Sequence, residues 1–125
     1  MRWTEQQLIQ VGRATELELA SRRSDGSLRP YTTMWVVCVG HDLYVRSAGG
    51  PDRPWYRHAL ASGAGRIRAD GVEADVRFAH DDDAPHEAID AAYHAKYDRY
   101  GPVPVGHVTG RPSHPVTIRL EGSEP

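Results

Sequence analysis

The chain has 125 residues, 39% hydrophobic and 26% charged, with a formal net charge of −2. That length favours one core over two, so a single domain spanning residues 1–125 is expected, and a balance so near neutrality excludes a chain-wide pull toward nucleic acid or anionic membrane. One cysteine, Cys38, excludes an intrachain disulfide framework, and no apolar run approaches the ~20 residues of a membrane span.

From the N-terminus, Thr4 is placed to cap a short helix over EQQLIQVG, closed by Leu8, Ile9 and Gly12. The start MRWTEQQLIQ lacks the basic head and apolar middle of a signal peptide, so a cytoplasmic location is expected. ELELASR alternates Leu17, Leu19 and Ser21 against Glu18, Ala20 and Arg22, the period of a half-buried strand. After the turn SDGSLRP, TTMWVVCV reads as one central strand buried on both faces, with Cys38 as a core residue. GHD then turns it into LYVRSA, which predicts a three-stranded meander.

A helix is expected from Pro54. GRIRADGVEADVRFA predicts a hairpin with Asp70-Gly71 as a type I′ turn and Val72, Ala74, Val76 and Phe78 facing inward. A long helix follows from about Ala84 to Tyr100, with Ile89, Ala92, Tyr93, Tyr97 and Tyr100 on one stripe. Pro102 and Pro104 are expected to stop it, and VTIRL supplies a closing strand. Six strands with so few intervening helices predict a mainly-β or α+β domain, a six-stranded antiparallel barrel with two or three appended helices.

Charge is distributed unevenly. Residues 1–69 carry ten arginines against six acids, whereas residues 70–125 carry five basic residues against eleven acids, so an anion is expected to bind the first half. Arg46, Ser47, Gly49, Gly50, Arg53 and Arg57 cluster around a Gly-Gly turn and a helix start. Exposed backbone N–H groups, a helix N-terminus and guanidinium forks together suit a phosphate, with Arg46 the leading candidate. The plainer reading of the same arginines is a solvated face.

The run from Arg29 to Leu60 resembles the split-barrel flavin-binding superfamily, the pyridoxamine-phosphate-oxidase-like proteins, and most nearly its deazaflavin-dependent nitroreductase branch. The resemblance rests on Thr32, Thr33 and Trp35, then Leu43, Tyr44 and Val45, then Ser47, Gly49 and Gly50, then Trp55 and Tyr56. The tail AIDAAYHAKYDRYGPVPVGHVTG looks like an uncharacterised small-domain family placed near that superfamily. The resemblance implies a split barrel, often a homodimer, with FMN or a deazaflavin (F420) in a groove between barrel and helix. Thr32, Thr33, Met34 and Trp35 would then lie beside the ring, with Trp55 close by and Arg46, Ser47, Gly49, Gly50 and Arg57 at the phosphate. Trp35 and Met34 serve equally well as core.

No side chain is singled out as a catalyst, although Tyr44 or Tyr56 is able to donate a proton. The segment His80 to His86 carries metal-ligand residue types, but three aspartates before Ala-Pro are also what a helix start calls for, and no metal is assigned. Lys96, the only lysine, falls within the apolar stripe of the long helix: either its stem snorkels to water or its ammonium closes the cofactor groove. Three functions follow: an oxidoreductase passing hydride or electrons to a small organic acceptor, a binding module that holds a flavin-like or other anionic aromatic ligand without turnover, and an interaction domain whose arginines pair with a partner's acids.

Overall fold

The computed structural model describes residues 3–80 and 83–122. Helix α1 (Glu5–Arg13) opens on a capping box in which the Gln7 N–H donates to Thr4 Oγ1 at 3.1 Å and the Thr4 N–H donates to Gln7 Oε1 at 2.9 Å. Its buried side is Leu8 and Val11, one helical turn apart. Ile9, the next residue round the helix, points outward and is 57% exposed.

Seven antiparallel strands form one sheet: β1 (Leu17–Ser21), β2 (Thr32–Met34), β3 (Val37–Val39), β4 (Asp42–Arg46), β5 (Ala64–Ala69), β6 (Val72–Ala79) and β7 (Thr117–Gly122), in the order β2-β1-β5-β6-β7-β4-β3. The mainly-β, antiparallel expectation holds, but the count is seven because residues 32–39 are two strands. β2 pairs with β1 (Leu17↔Met34) and β3 pairs with β4 (Val37↔Tyr44), at opposite ends of the order. Only Trp35 and Val36 separate them. Three Cα–Cα steps span at most about 11 Å, so the two edges of the sheet lie close together and the sheet must curl nearly shut. The predicted meander is thereby replaced by a seam.

Curling gives the sheet an inside and an outside, each with its own core. Leu17, Leu19, Leu43, Val45, Ile67, Val76, Ile118 and Leu120 fill the inside with Val11 of α1, Trp3, and Tyr56 of α2 (Pro54–Ser62). The hairpin β5–β6 turns as predicted, with Asp70 at φ 47° and Gly71 at φ 81°. At Gly65 a Cβ would stand 2.1 Å from the Ala20 carbonyl oxygen, so the approach of β1 to β5 admits no side chain there. Outside, Val37 and Tyr44 are covered by Ile89, Tyr93 and Tyr97 of α3 (His86–Tyr97) and by Val105 and Val108.

Helix α3 starts at His86, with Pro85 as its N-cap, and gives way to a 3-10 turn over Asp98–Tyr100. Gly101, at φ 101°, ends that turn. Pro102 does not stop a helix but opens the short helix α4 (Pro102–Gly106), since its fixed φ and missing N–H suit a first helical position.

Candidate functional site

A cavity of about 350 Å³ lies beside the seam, lined by Glu16, Thr33, Met34, Trp35, Arg46, Ala48, Gly49, Arg53, Trp55, Pro104, His107 and Val108. Four separate stretches of chain meet there, and each is fixed by an identifiable interaction.

The seam positions Trp35. Its ring stacks on Tyr97 with centroids 4.1 Å apart and planes 5° from parallel. The Tyr97 hydroxyl lies 2.8 Å from the Thr15 carbonyl oxygen and 3.0 Å from that of Val36, both acceptors for its single proton, and it accepts from the Val36 N–H at 3.1 Å. Burial pushes this phenol up to about 12, so it remains a donor at any ordinary pH. A helix thus satisfies the backbone exactly where β2 and β3 cannot satisfy each other.

A tight turn positions Gly49. The Gly50 N–H donates to the Ser47 carbonyl at 3.1 Å, the Ser47 hydroxyl donates to the Gly50 carbonyl at 2.6 Å, and Gly50 sits at φ 86°. Beyond it Arg53 is the N-cap of α2 and folds back over Gly49: a Cβ at position 49 would lie 1.7 Å from Arg53 Nε. Glycine here is a seat for a guanidinium. That guanidinium has no hydrogen-bond or ion-pair partner among the described residues.

Arg46 is the opposite case. The residue is 2% exposed, and it follows Tyr44 onto the outer face of β4, beneath α3. Nε donates to Thr117 Oγ1 at 2.8 Å; Nη1 donates to the Val108 carbonyl at 2.8 Å and to the Asp90 carboxylate; Nη2 lies 3.4 Å from the His86 carbonyl oxygen. Asp90 also accepts from the Gly110 N–H at 3.2 Å and lies 3.2 Å from His114 Nε2, whose ring stacks on that of His86 at 4.5 Å. Burial acts to raise the Asp90 carboxyl, but hydrogen bonds from Arg46 and His114, the Arg46 charge and the Gly110 N–H outweigh it and hold it below the ordinary carboxylate value. The charge expected at the ligand is already neutralised, and the same network ties the segment carrying His107 and Val108 to α3.

Of the residues proposed from sequence, Thr33, Met34, Trp35, Arg46, Gly49, Arg53 and Trp55 converge on this cavity. Thr32, Ser47, Gly50 and Arg57 do not line it; Ser47 and Gly50 shape the turn. Tyr44 and Tyr56 lie in the two cores, Tyr56 donating to the Pro115 carbonyl at 3.0 Å, so neither borders the cavity. Lys96 lines a different groove, because its stretch of α3 packs on β3 rather than on the turn. Sequence reasoning missed Glu16, Asp90, His107 and the α4 wall. Asp90 did leave a signal, a carboxylate one helical turn before the stripe residue Tyr93. Among the described residues no three His, Cys, Asp or Glu side chains gather as a metal site; Asp81 and Asp82 of the His80-to-His86 run lie outside the described residues.

Residues 7–120 match the family model described as "Uncharacterized protein conserved in bacteria (DUF2255)". No curated protein matches the chain. Among solved structures, a candidate pyridoxamine 5′-phosphate oxidase from Listeria innocua superposes with a TM-score of 0.63 at 15% identity, over 94% of this chain and 90% of that one. HutZ, the heme storage protein of Vibrio cholerae, gives 0.63 at 12% identity over 100% and 93%, and an F420 reductase gives 0.53 at 18% over 93% and 92%. At these identities the likeness is one of fold: a split barrel of the pyridoxamine-oxidase-like kind.

Proposed function

The chain belongs to that bacterial family, DUF2255, and on this premise we propose that the cavity at the seam binds a flat ring cofactor, FMN or deazaflavin F420, for transfer of hydride or electrons to a small organic acceptor. The observation that carries this reading is the convergence on one cavity of two tryptophans, Trp35 and Trp55, with an arginine, Arg53, that is seated on Gly49 and has no side-chain partner among the described residues. Flat π-faces suit a flat ligand, and a volume of about 350 Å³ falls within the range of small-ligand sites, about 300–1,000 Å³. The names of an F420 reductase and an oxidase-like protein among the similar folds support the same class.

The residues present fit such a group with one revision. Trp35, Met34 and Trp55 would hold the ring, and Thr33 would hydrogen-bond its polar edge. The anionic tail goes to Arg53 and the backbone at Gly49 rather than to Arg46, which Asp90 already neutralises. A bound flavin or deazaflavin supplies the redox chemistry, and the protein supplies binding and orientation. The resemblance of residues 29–60 to deazaflavin-dependent nitroreductases supports a nitro compound as one such acceptor. A homodimer is part of this reading, through the face bearing Tyr100 and Val103, which are 46% and 70% exposed beside the α4 wall.

Binding without turnover is the second reading, favoured by the burial of Tyr44 and Tyr56 away from the cavity. Titration of the purified chain with FMN and with F420, followed by cofactor fluorescence, tests both. Micromolar binding of either, lost in Trp55→Ala and weakened in Arg53→Ala, supports the site. Absence of binding by both cofactors at that concentration overturns it, and reduction of a nitroaromatic acceptor by the loaded protein separates turnover from storage.

A further inference from the structure

Lys96 is the only lysine in the chain, and the cavity does not use it. It stands instead in a groove of about 600 Å³ between α1, β3 and α3, whose apolar lining includes Leu8, Ile9, Val37 and Ala92. Cys38 and His41 line the same groove. The ammonium nitrogen is half-buried, donates to the Val36 carbonyl at 2.7 Å and lies 5.0 Å from the centre of the Tyr97 ring. No carboxylate pairs with it among the described residues. One N–H is anchored to a carbonyl rather than a carboxylate, and the groove beside it combines those apolar side chains with Glu5, Arg13 and His41; partial burial of this kind is the setting in which an amine becomes a nucleophile.

From this geometry we infer a second site, in which Lys96 forms a Schiff base with aldehydes that carry an apolar tail. The neutral amine adds to the carbonyl carbon, forming a C–N bond while the carbonyl oxygen gains the proton that nitrogen loses. The carbinolamine then takes up a second proton and expels water, leaving a C=N bond. No oxidant or reductant is consumed. Leu8, Ile9, Val37 and Ala92 receive the tail, which gives preference for a medium-chain aldehyde over a short polar one. Burial supports the required protonation state by lowering Lys96 from 10.5 to about 8, with the Cys38 thiol opposing the shift.

The absence of any other lysine makes the test direct. The folded chain is incubated with hexanal or with glyoxylate, each with cyanoborohydride to reduce the imine. The modified position is found by peptide mass mapping, and the same chain in guanidinium provides the unfolded reference. The expected result is a Lys96 adduct of hexanal that forms at least about tenfold faster in the folded chain at pH 8, where an ordinary lysine is almost wholly protonated. Glyoxylate should show no such gain, and Lys96→Arg should fold normally and lose the adduct. A Lys96 that reacts no faster folded than unfolded, or equally well with both aldehydes, overturns the site. Because the readout is an adduct at Lys96, which does not line the seam cavity, either result leaves the cofactor reading to its own titration.

Discussion

Arg46 and Arg53 border the same cavity in opposite electrostatic states, and substitutions should separate them. Arg46→Ala leaves the Asp90 carboxylate facing the interior without its cation. The expected cost is about 3 kcal/mol of stability, the low end for a broken buried pair because Asp90 keeps some solvent, read as a fall in the urea midpoint. Arg53→Ala should leave the midpoint within about 0.5 kcal/mol, as for other exposed positions. It should weaken cofactor binding about tenfold, the value of a charged hydrogen bond of about 1.5 kcal/mol. The reverse pattern would return the anion site to Arg46. Acid titrates the same network: Asp90 is depressed in the folded state, so its contribution is fully present above the ordinary value of 3.8 and is lost as pH falls through the lower folded value. Wild type should therefore lose stability on acidification below about pH 4, and Asp90→Asn, already weaker at neutral pH, should show a shallower loss. Parallel profiles for the two proteins would show that Asp90 does not couple to protons.

At the scale of elements, the decisive contact is between α3 and the seam. β2 and β3 end at Met34 and Val37 with no partner strand for Val36, and Tyr97 with Lys96 supplies that partner from a helix. Tyr97→Phe keeps the ring stacked on Trp35 but leaves the buried Val36 N–H without its acceptor. It should cost about 1–3 kcal/mol and speed hydrogen exchange at Val36 ahead of the strand centres. A variant as stable and as protected as wild type would mean that the barrel edges hold without the helix.

For the whole molecule, two cores on either side of a curled sheet explain how most of a large aromatic complement is buried in a short chain. Trp3 and Tyr56 go inside, and Tyr44, Tyr93 and Tyr97 go outside. Among the described residues the exposed large apolar side chains are Ile9, Leu60, Tyr100 and Val103, and the last two stand close in sequence at the α4 wall. If copies pair through that face, Val103→Asp should convert a dimer in sedimentation to a single chain without moving the thermal midpoint by more than a few degrees. A wild type that sediments as a single chain at all concentrations would remove the dimer. The charge asymmetry also resolves at this scale. Arg66 and Arg68 pair with Asp75, Glu73 and Glu18 across neighbouring strands, and Arg22 joins Asp75, so several arginines of the first half meet carboxylates rather than a ligand.

Local chemistry alone determined much of this protein. The Thr4–Gln7 capping box, the Asp70-Gly71 turn, the alternation of Val72 to Phe78 and the stripe Ile89, Tyr93, Tyr97 each depend on residues a few positions apart, whose periodicity is written directly in the chain. The convergence of Thr33, Trp35, Gly49 and Trp55 was legible too, through a resemblance to known split barrels rather than through periodicity. Three things were decided only by tertiary structure. The strand 32–39 broke because its halves pair with β1 and β4, partners that local propensity does not specify. Lys96 lines a groove other than the seam cavity because the face of α3 that carries it packs on β3. Arg46 meets a carboxylate of its own chain because Asp90, 44 positions away, is brought against it; a guanidinium looks the same in sequence whether its carboxylate comes from the fold or its phosphate from solution.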